Sequence, residues 1–221
     1  MKLKIMAAGF ALAIIIVTGV LVNAPGCIAG GAQYSPGSAQ YTNLSMSPFK
    51  GPSTAPVVIT VFSDFQWPAC ARIAPLLEQL LEQYPQEVKL IFKNYPLSRH
   101  AYARKAAIAA AAAQRQEKFW EYHDRLFENY DRLDDQKFRE IARELNLDME
   151  KIEKDLNDPA TILRVDKDAQ LGHSVGVGGT PTVFINGSIS KARTLEDFQA
   201  IIVKELQKAG KRAALSEGQM R

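Results

Sequence analysis

The run Val57-Val58-Ile59-Thr60-Val61-Phe62 narrows the folds open to this chain more than any other feature. Every residue in it is β-branched or aromatic and nearly all are apolar, the pattern of a strand buried on both faces. Pro68 follows at a point where a helix can begin without losing a donated bond. Leu76, Leu77, Leu80, Leu81 and Tyr84 then fall on one helical stripe, which Pro85 ends. Residues 88–95 form a second strand pattern, stopped by Pro96. Strand, helix and strand in this order make a β-α-β unit.

A long helical section comes next. Residues 106–113 are all Ala except Ile108, which gives the highest helix propensity available and permits close packing. Phe119, Tyr122, Leu126 and Tyr130 continue at helical spacing. Asp134-Asp135 can cap a helix that carries Phe138, Ile141, Ala142 and Leu145, and Asp148 can cap another with Ile152 and Leu156. Residues 161–171 close the section before Gly172. A short apolar strand over 182–185 then meets Asn186-Gly187, the strongest short hairpin signal, which leads into 188–190. An amphipathic helix over 195–208 and a polar, frayed tail complete the chain.

The first residues have the pattern of a targeting segment. Lys2 and Lys4 open the chain, and residues 5–22 carry no charge. Three fates are open. The segment is cut after Ala24, or Cys27 is lipidated after the poor lead-in Ala24-Pro25-Gly26. Otherwise the apolar run, about 18 residues long, stays as a membrane anchor. Each fate delivers the domain outside the cytoplasm, to the periplasm or cell envelope, with the membrane as a partner of the N-terminal segment. Residues 23–49 are also uncharged and rich in Ala, Gly, Ser and Pro, as in a flexible tether. The expected plan is therefore a signal peptide or anchor over 1–24, a linker over 25–49, a folded domain over 50–208 and a polar tail over 209–221. With 27 basic and 24 acidic side chains, two of the basic ones in the leader, the domain is near neutral and shows no electrostatic footprint for nucleic acid. The domain holds one cysteine, Cys70, so no disulfide can form within it.

Several motifs in order carry a family resemblance. The stretch Ala55-Pro56-Val57 through Ser63-Asp64-Phe65-Gln66, with Pro68 and Cys70, resembles the DsbA-like thiol:disulfide oxidoreductases. So do Lys93-Asn94-Tyr95-Pro96-Leu97 and Lys118-Phe119-Trp120 with His123-Asp124 and Leu126-Phe127. Val177-Gly178-Gly179-Thr180-Pro181-Thr182 completes the set, and the similarity runs from about Lys50 to about Leu206. It implies an α/β, thioredoxin-like fold with an inserted all-helical subdomain over about 99–171. It also implies a cis-proline at Thr180-Pro181 that faces the redox motif and pairs with an extended substrate peptide. The departure is Trp67, which stands where the family has the first sulfur of Cys-Pro-x-Cys.

Trp67 removes the attacking thiol and leaves the resolving one. Cys70 is then either a small buried thiol kept for packing or a one-cysteine site whose pKa is lowered by the helix N-terminus. In the second case it attacks a substrate disulfide or a peroxide and needs an external thiol reductant to finish. Trp67 sits at the N-cap, where it cannot bond the free N–H groups. Its indole either anchors a partner or folds over Cys70. Trp67, Pro68, Thr180 and Pro181 are the candidate residues for holding exported proteins or peptides. No cofactor is expected, and no metal: His100, His123 and His173 lie in separate elements without ligand partners at helical spacing.

Overall fold

The computed structural model describes residues 47–219. The expected leader, Cys27 and nearly all of the linker lie outside the described residues. Five strands form one mixed sheet: β1 (Phe49–Lys50), β2 (Val57–Ser63), β3 (Val88–Asn94), β4 (Thr182–Ile185) and β5 (Ser188–Ser190), in the order β1-β3-β2-β4-β5. β2 and β3 run parallel, and every other pairing is antiparallel. Between β2 and β3 lies α1 (Pro68–Gln83), the crossover that a parallel pair requires. Five helices separate β3 from β4: α2 (Ala103–Gln114), α3 (Phe119–Glu128), α4 (Asp135–Glu144), α5 (Met149–Leu156) and α6 (Pro159–Ser174). The chain closes with α7 (Leu195–Gln219). This is an α/β thioredoxin-like fold with an inserted helical subdomain.

Alternation along β2 assigns the two faces of the sheet. Val57, Ile59 and Val61 point into the larger core with Ile73, Leu77 and Leu80 of α1, while Phe62 joins Tyr95, Val175, Val177 and Phe184 on the opposite face. The alanines of α2 are all buried, which lets its neighbours approach closely. Asp134 and Asp148 cap α4 and α5 as their positions predict, accepting from Lys137 N–H and Lys151 N–H. The hairpin turn has Asn186 and Gly187 both at positive φ, and Asn186 Oδ1 also accepts from Val58 N–H, tying the turn to the start of β2.

Boundaries differ from the sequence reading at several points; β3 ends at Asn94, one residue early, and α6 runs on to Ser174, three residues past the expected end. The chain enters the sheet at Phe49, ahead of the expected start at Lys50, because pairing with β3 creates an edge strand too short to show a pattern. α6 begins at Pro159 with Asp158 as its cap, two residues before the expected start. α7 continues to Gln219, where the reading ends the helix at Lys208. Among the described residues no helix is long and apolar enough to cross a membrane.

A buried ion pair fastens α6 to the sheet. Lys93 Nζ of β3 donates to Asp168 Oδ1 at 2.9 Å, and Asp168 Oδ2 accepts from both the backbone N–H and Nδ2 of Asn94. Both charged side chains are almost wholly shielded from solvent. Removing one partner strands the other charge in the interior. Asp168→Ala is expected to lower the unfolding free energy in urea titrations by about 3–5 kcal/mol; a loss below about 1 kcal/mol rules this reading out.

Candidate functional site

The C-terminal ends of β2 and β3 and the N-terminal end of β4 lie together, since Ser63 is in register with Asn94 and Phe62 with Thr182. The loops leaving that edge build the site. Pro68 opens α1 and Trp67 is its N-cap, in extended conformation and without a side-chain cap bond, as the sequence predicts. Cys70 lies in the first turn, its N–H donating to Trp67 O at 2.9 Å. Across from it the Thr180–Pro181 peptide bond is cis.

Cys70 is 0% exposed. Its sulfur accepts from Asp64 N–H at 3.5 Å, and the Ser63 and Thr180 hydroxyls lie close enough to draw its pKa down. Thr180 Oγ1 is itself buried and makes no hydrogen bond of ordinary geometry, so its pull on the sulfur is a close polar contact short of a formed bond. Burial outweighs these donors and pushes the thiol above its ordinary value, and the Asp64 charge adds to the rise. Of the two readings the sequence leaves open, this fits the buried packing thiol: the helix N-terminus does not offset the loss of water around the sulfur.

Trp67 is partly buried, and its ring contacts are with the loop after β3. The indole stacks on His100, with centroids 5.2 Å apart and planes at 23°, and the Arg99 guanidinium sits over it at 5.0 Å. That loop is held by Asp64, which the sequence reading passed over. Its Oδ2 accepts from Leu97 N–H at 2.8 Å and lies 2.8 Å from His100 Nδ1, while Oδ1 accepts from Gln66 N–H at 2.7 Å. Gln66 Oε1 in turn accepts from Tyr102 N–H. The motif Asp64-Phe65-Gln66 was the available signal; its partners, more than thirty residues onward, carried none.

The other histidines are separate. His123 is buried among Phe65, Phe92, Phe119, Trp120 and Phe127, with Nδ1 on Asp124 at 2.8 Å. His173 bonds the Tyr95 hydroxyl, which also donates to Val177 O in the loop leading to Pro181. Among the described residues no group of three or more His, Cys, Asp or Glu side chains is arranged to hold a metal ion.

The Thioredoxin family profile (Thioredoxin_4) matches residues 43–204. The chain belongs to that family. Among solved structures it is similar to the thiol-disulfide exchange protein alpha-DsbA2 from Wolbachia pipientis, with a TM-score of 0.68 and 23% identity over 75% of this chain and 90% of that one. It is also similar to the catalytic domain of Proteus mirabilis ScsC, with a TM-score of 0.65 and 28% identity over 76% and 92% of the two chains. A curated relative is the Na(+)/H(+) antiporter NhaA 3 of Salinispora tropica, 36% identical over 139 residues, which are 62% of this chain and 21% of the antiporter. The chain thus spans about a fifth of the length of the curated relatives it matches.

A raised thiol pKa has a definite sign in stability. Above the unfolded thiol's pKa of about 8.5 the unfolded chain has released a proton that the folded chain still holds, so stability falls as pH rises from there toward the folded value. Replacing Cys70 with Ala is expected to flatten that part of the curve in urea titrations between about pH 8 and 10. An unchanged slope would show that the folded and unfolded thiols titrate alike.

Proposed function

We propose that this is an extracytoplasmic member of the thiol-disulfide oxidoreductase class that holds extended segments of exported polypeptides beside Trp67 and the cis-proline, and whose own redox chemistry is confined to Cys70. The observation that carries the reading is the pairing of a partly exposed indole at the first sulfur's position with a second sulfur shut away from water. A dithiol cycle needs an attacker and a resolver, and one sulfur cannot supply both. The peptide-binding surface needs neither. Backbone preceding a cis-proline at a sheet end can pair with an added strand, and a part-buried Trp is a favoured anchor in such contacts. Similarity to a thiol-disulfide exchange protein and to the ScsC catalytic domain supports the class. The targeting pattern around Lys2, Lys4 and residues 5–22 supports a place in the cell envelope, with 1–24 as signal peptide or anchor and 25–49 as tether.

A second reading has one specific observation behind it: Ser63, Asp64 N–H and Thr180 all draw the Cys70 pKa down and are poised to stabilise a thiolate once the sulfur is uncovered. In that reading the Cys70 thiolate attacks a substrate disulfide and one substrate thiolate leaves; a first external thiol then displaces the second substrate thiol from Cys70, and a second external thiol frees Cys70 as the two external thiols leave joined as a disulfide. A peroxide takes the same sulfur to a sulfenic acid, which external thiols reduce.

Alkylation of Cys70 separates the two. Slow labelling in the native protein near pH 7, at least a hundredfold below the rate in urea, is expected for the binding module, whereas rapid native labelling establishes the one-cysteine enzyme. Trp67→Cys is expected to form a disulfide with Cys70 and to gain disulfide-exchange activity in an insulin-reduction assay; no gain means that the surroundings as well as the sulfur have diverged. Trp67→Ala is expected to weaken capture of reduced, unfolded exported proteins about tenfold, the scale of a large aromatic anchor in an interface, and unchanged capture removes Trp67 from the binding surface.

A further inference from the structure

A cavity of about 560 Å³ runs along the seam between α1 and α3, within the usual size of small-molecule sites. Its floor is apolar, with Leu77, Phe92 and Phe127 beside Trp120. Its charged lining is one-sided: Glu78, Glu82, Asp124 and Glu128 all contribute, and no Lys or Arg does. Two of these acids are answered from outside the lining, Glu78 by Lys50 at 2.6 Å and Glu128 by Arg125 at 2.7 Å. Among the described residues Glu82 has no ion pair, and the partner of Asp124 is His123.

His123 supplies an independent sign of a ligand. It lines the cavity at 7% exposure, and among the described residues only its Nδ1 is bonded, which leaves Nε2 free to accept from a group in the cavity. Burial holds the ring below its ordinary pKa and therefore neutral, against the pull of Asp124. Burial works against the Asp124 charge too, but the His123 bond and the Lys50 and Arg125 charges prevail and keep it ionised. An ionised Asp124 fixes the proton on Nδ1, so Nε2 is an acceptor. The cavity thus offers aromatic surface, one carboxylate without an ion pair among the described residues (Glu82), a second bonded to a neutral imidazole (Asp124) and that imidazole's open acceptor. Lys50 already shows how a cation rests in this seam, its ammonium lying 4.9 Å from the Trp120 ring centre while it bonds Glu78.

We infer that the seam between α1 and α3 is a binding site for an arylalkyl ammonium ion, with the aromatic arm on the Trp120, Phe92 and Phe127 floor and the ammonium donating to Glu82, Asp124 and His123. The site lies along the flank of α1, so the inference does not depend on how the Trp67 edge is used. An anion faces four carboxylates here, with Lys50 already held by Glu78, and a neutral analogue makes no charge-assisted bond to Glu82.

Calorimetric titration of the full chain with phenethylamine, 2-phenylethanol and 3-phenylpropanoate at pH 7 tests it. Expected is saturable one-to-one binding of the ammonium, at least tenfold tighter than the alcohol, with no binding of the carboxylate. Glu82→Gln, at an exposed position that leaves packing untouched, should weaken the ammonium about fivefold without changing the alcohol, and adding Asp124→Asn should weaken it at least tenfold. Absence of saturable ammonium binding overturns the site. Equal binding of ammonium and alcohol, or an ammonium affinity indifferent to Glu82→Gln, overturns the role of the carboxylates.

Discussion

Asp64 is shielded from solvent, and both of its oxygens are committed, one to Gln66 N–H and the other to Leu97 N–H and the His100 ring. Burying a carboxylate is costly unless donors replace its water, and here two backbone groups and an imidazole do so. The same residue offers its own N–H to the Cys70 sulfur. One side chain therefore ties the loop after β2, the loop after β3 and the first turn of α1 into a single block. Trp67 owes its placement to that block, because His100 and Arg99, the groups its ring rests on, belong to the loop that Asp64 holds.

Within that block Trp67 and Cys70 meet the end of α1 in different ways. A helix N-terminus favours an anion, and a thiolate at the cap position uses that field while remaining near water. Trp67 brings no charge and no cap bond there. Cys70, one turn inward, has hydroxyl and N–H donors around it yet keeps its proton, because full burial and the neighbouring Asp64 charge both disfavour the thiolate. Proximity to a helix end is thus not enough; the sulfur must also reach solvent.

The fold was legible where one segment carried its own signal. The β-branched run, Pro68, the leucine stripe and Asn186-Gly187 each act over a few residues, and the strands and helices they predict are present. Asp158-Pro159, a cap followed by proline, was an equally local signal for the start of α6 that the reading overlooked. What stayed hidden depends on contacts distant in sequence. β1 exists because Phe49 and Lys50 lie against Ile91 and Leu90, not because two residues prefer a strand. The Asp64–His100 contact joins residues 36 apart, and burial of Cys70 needs α1, β2 and the Thr180 loop together. The pairing of Cys70 with Thr180 came from family resemblance; spacing alone does not supply it.

The near neutrality of the chain conceals a local excess of acid along one flank of α1. Arg72, Arg99, Lys191 and Arg193 form no ion pair among the described residues. The last two follow β5, whose end at Ser190 lies beside Val183 at the strand ends that carry the cis-proline. The acids of the first turn of α7, Glu196 and Asp197, offset them only in part. Along the flank of α1 facing α3 the signs reverse, with four carboxylates lining the seam. A total of +3 excludes a strong field over the whole molecule, but not a local one where four carboxylates line a single seam. Cys70 lies between the site edge and the seam: its sulfur accepts from Asp64 N–H, and the same residue is part of the cavity lining. The thiol is therefore a wall between the two surfaces as much as a member of either, which is a structural reason for a small apolar side chain at that position whether or not the sulfur reacts.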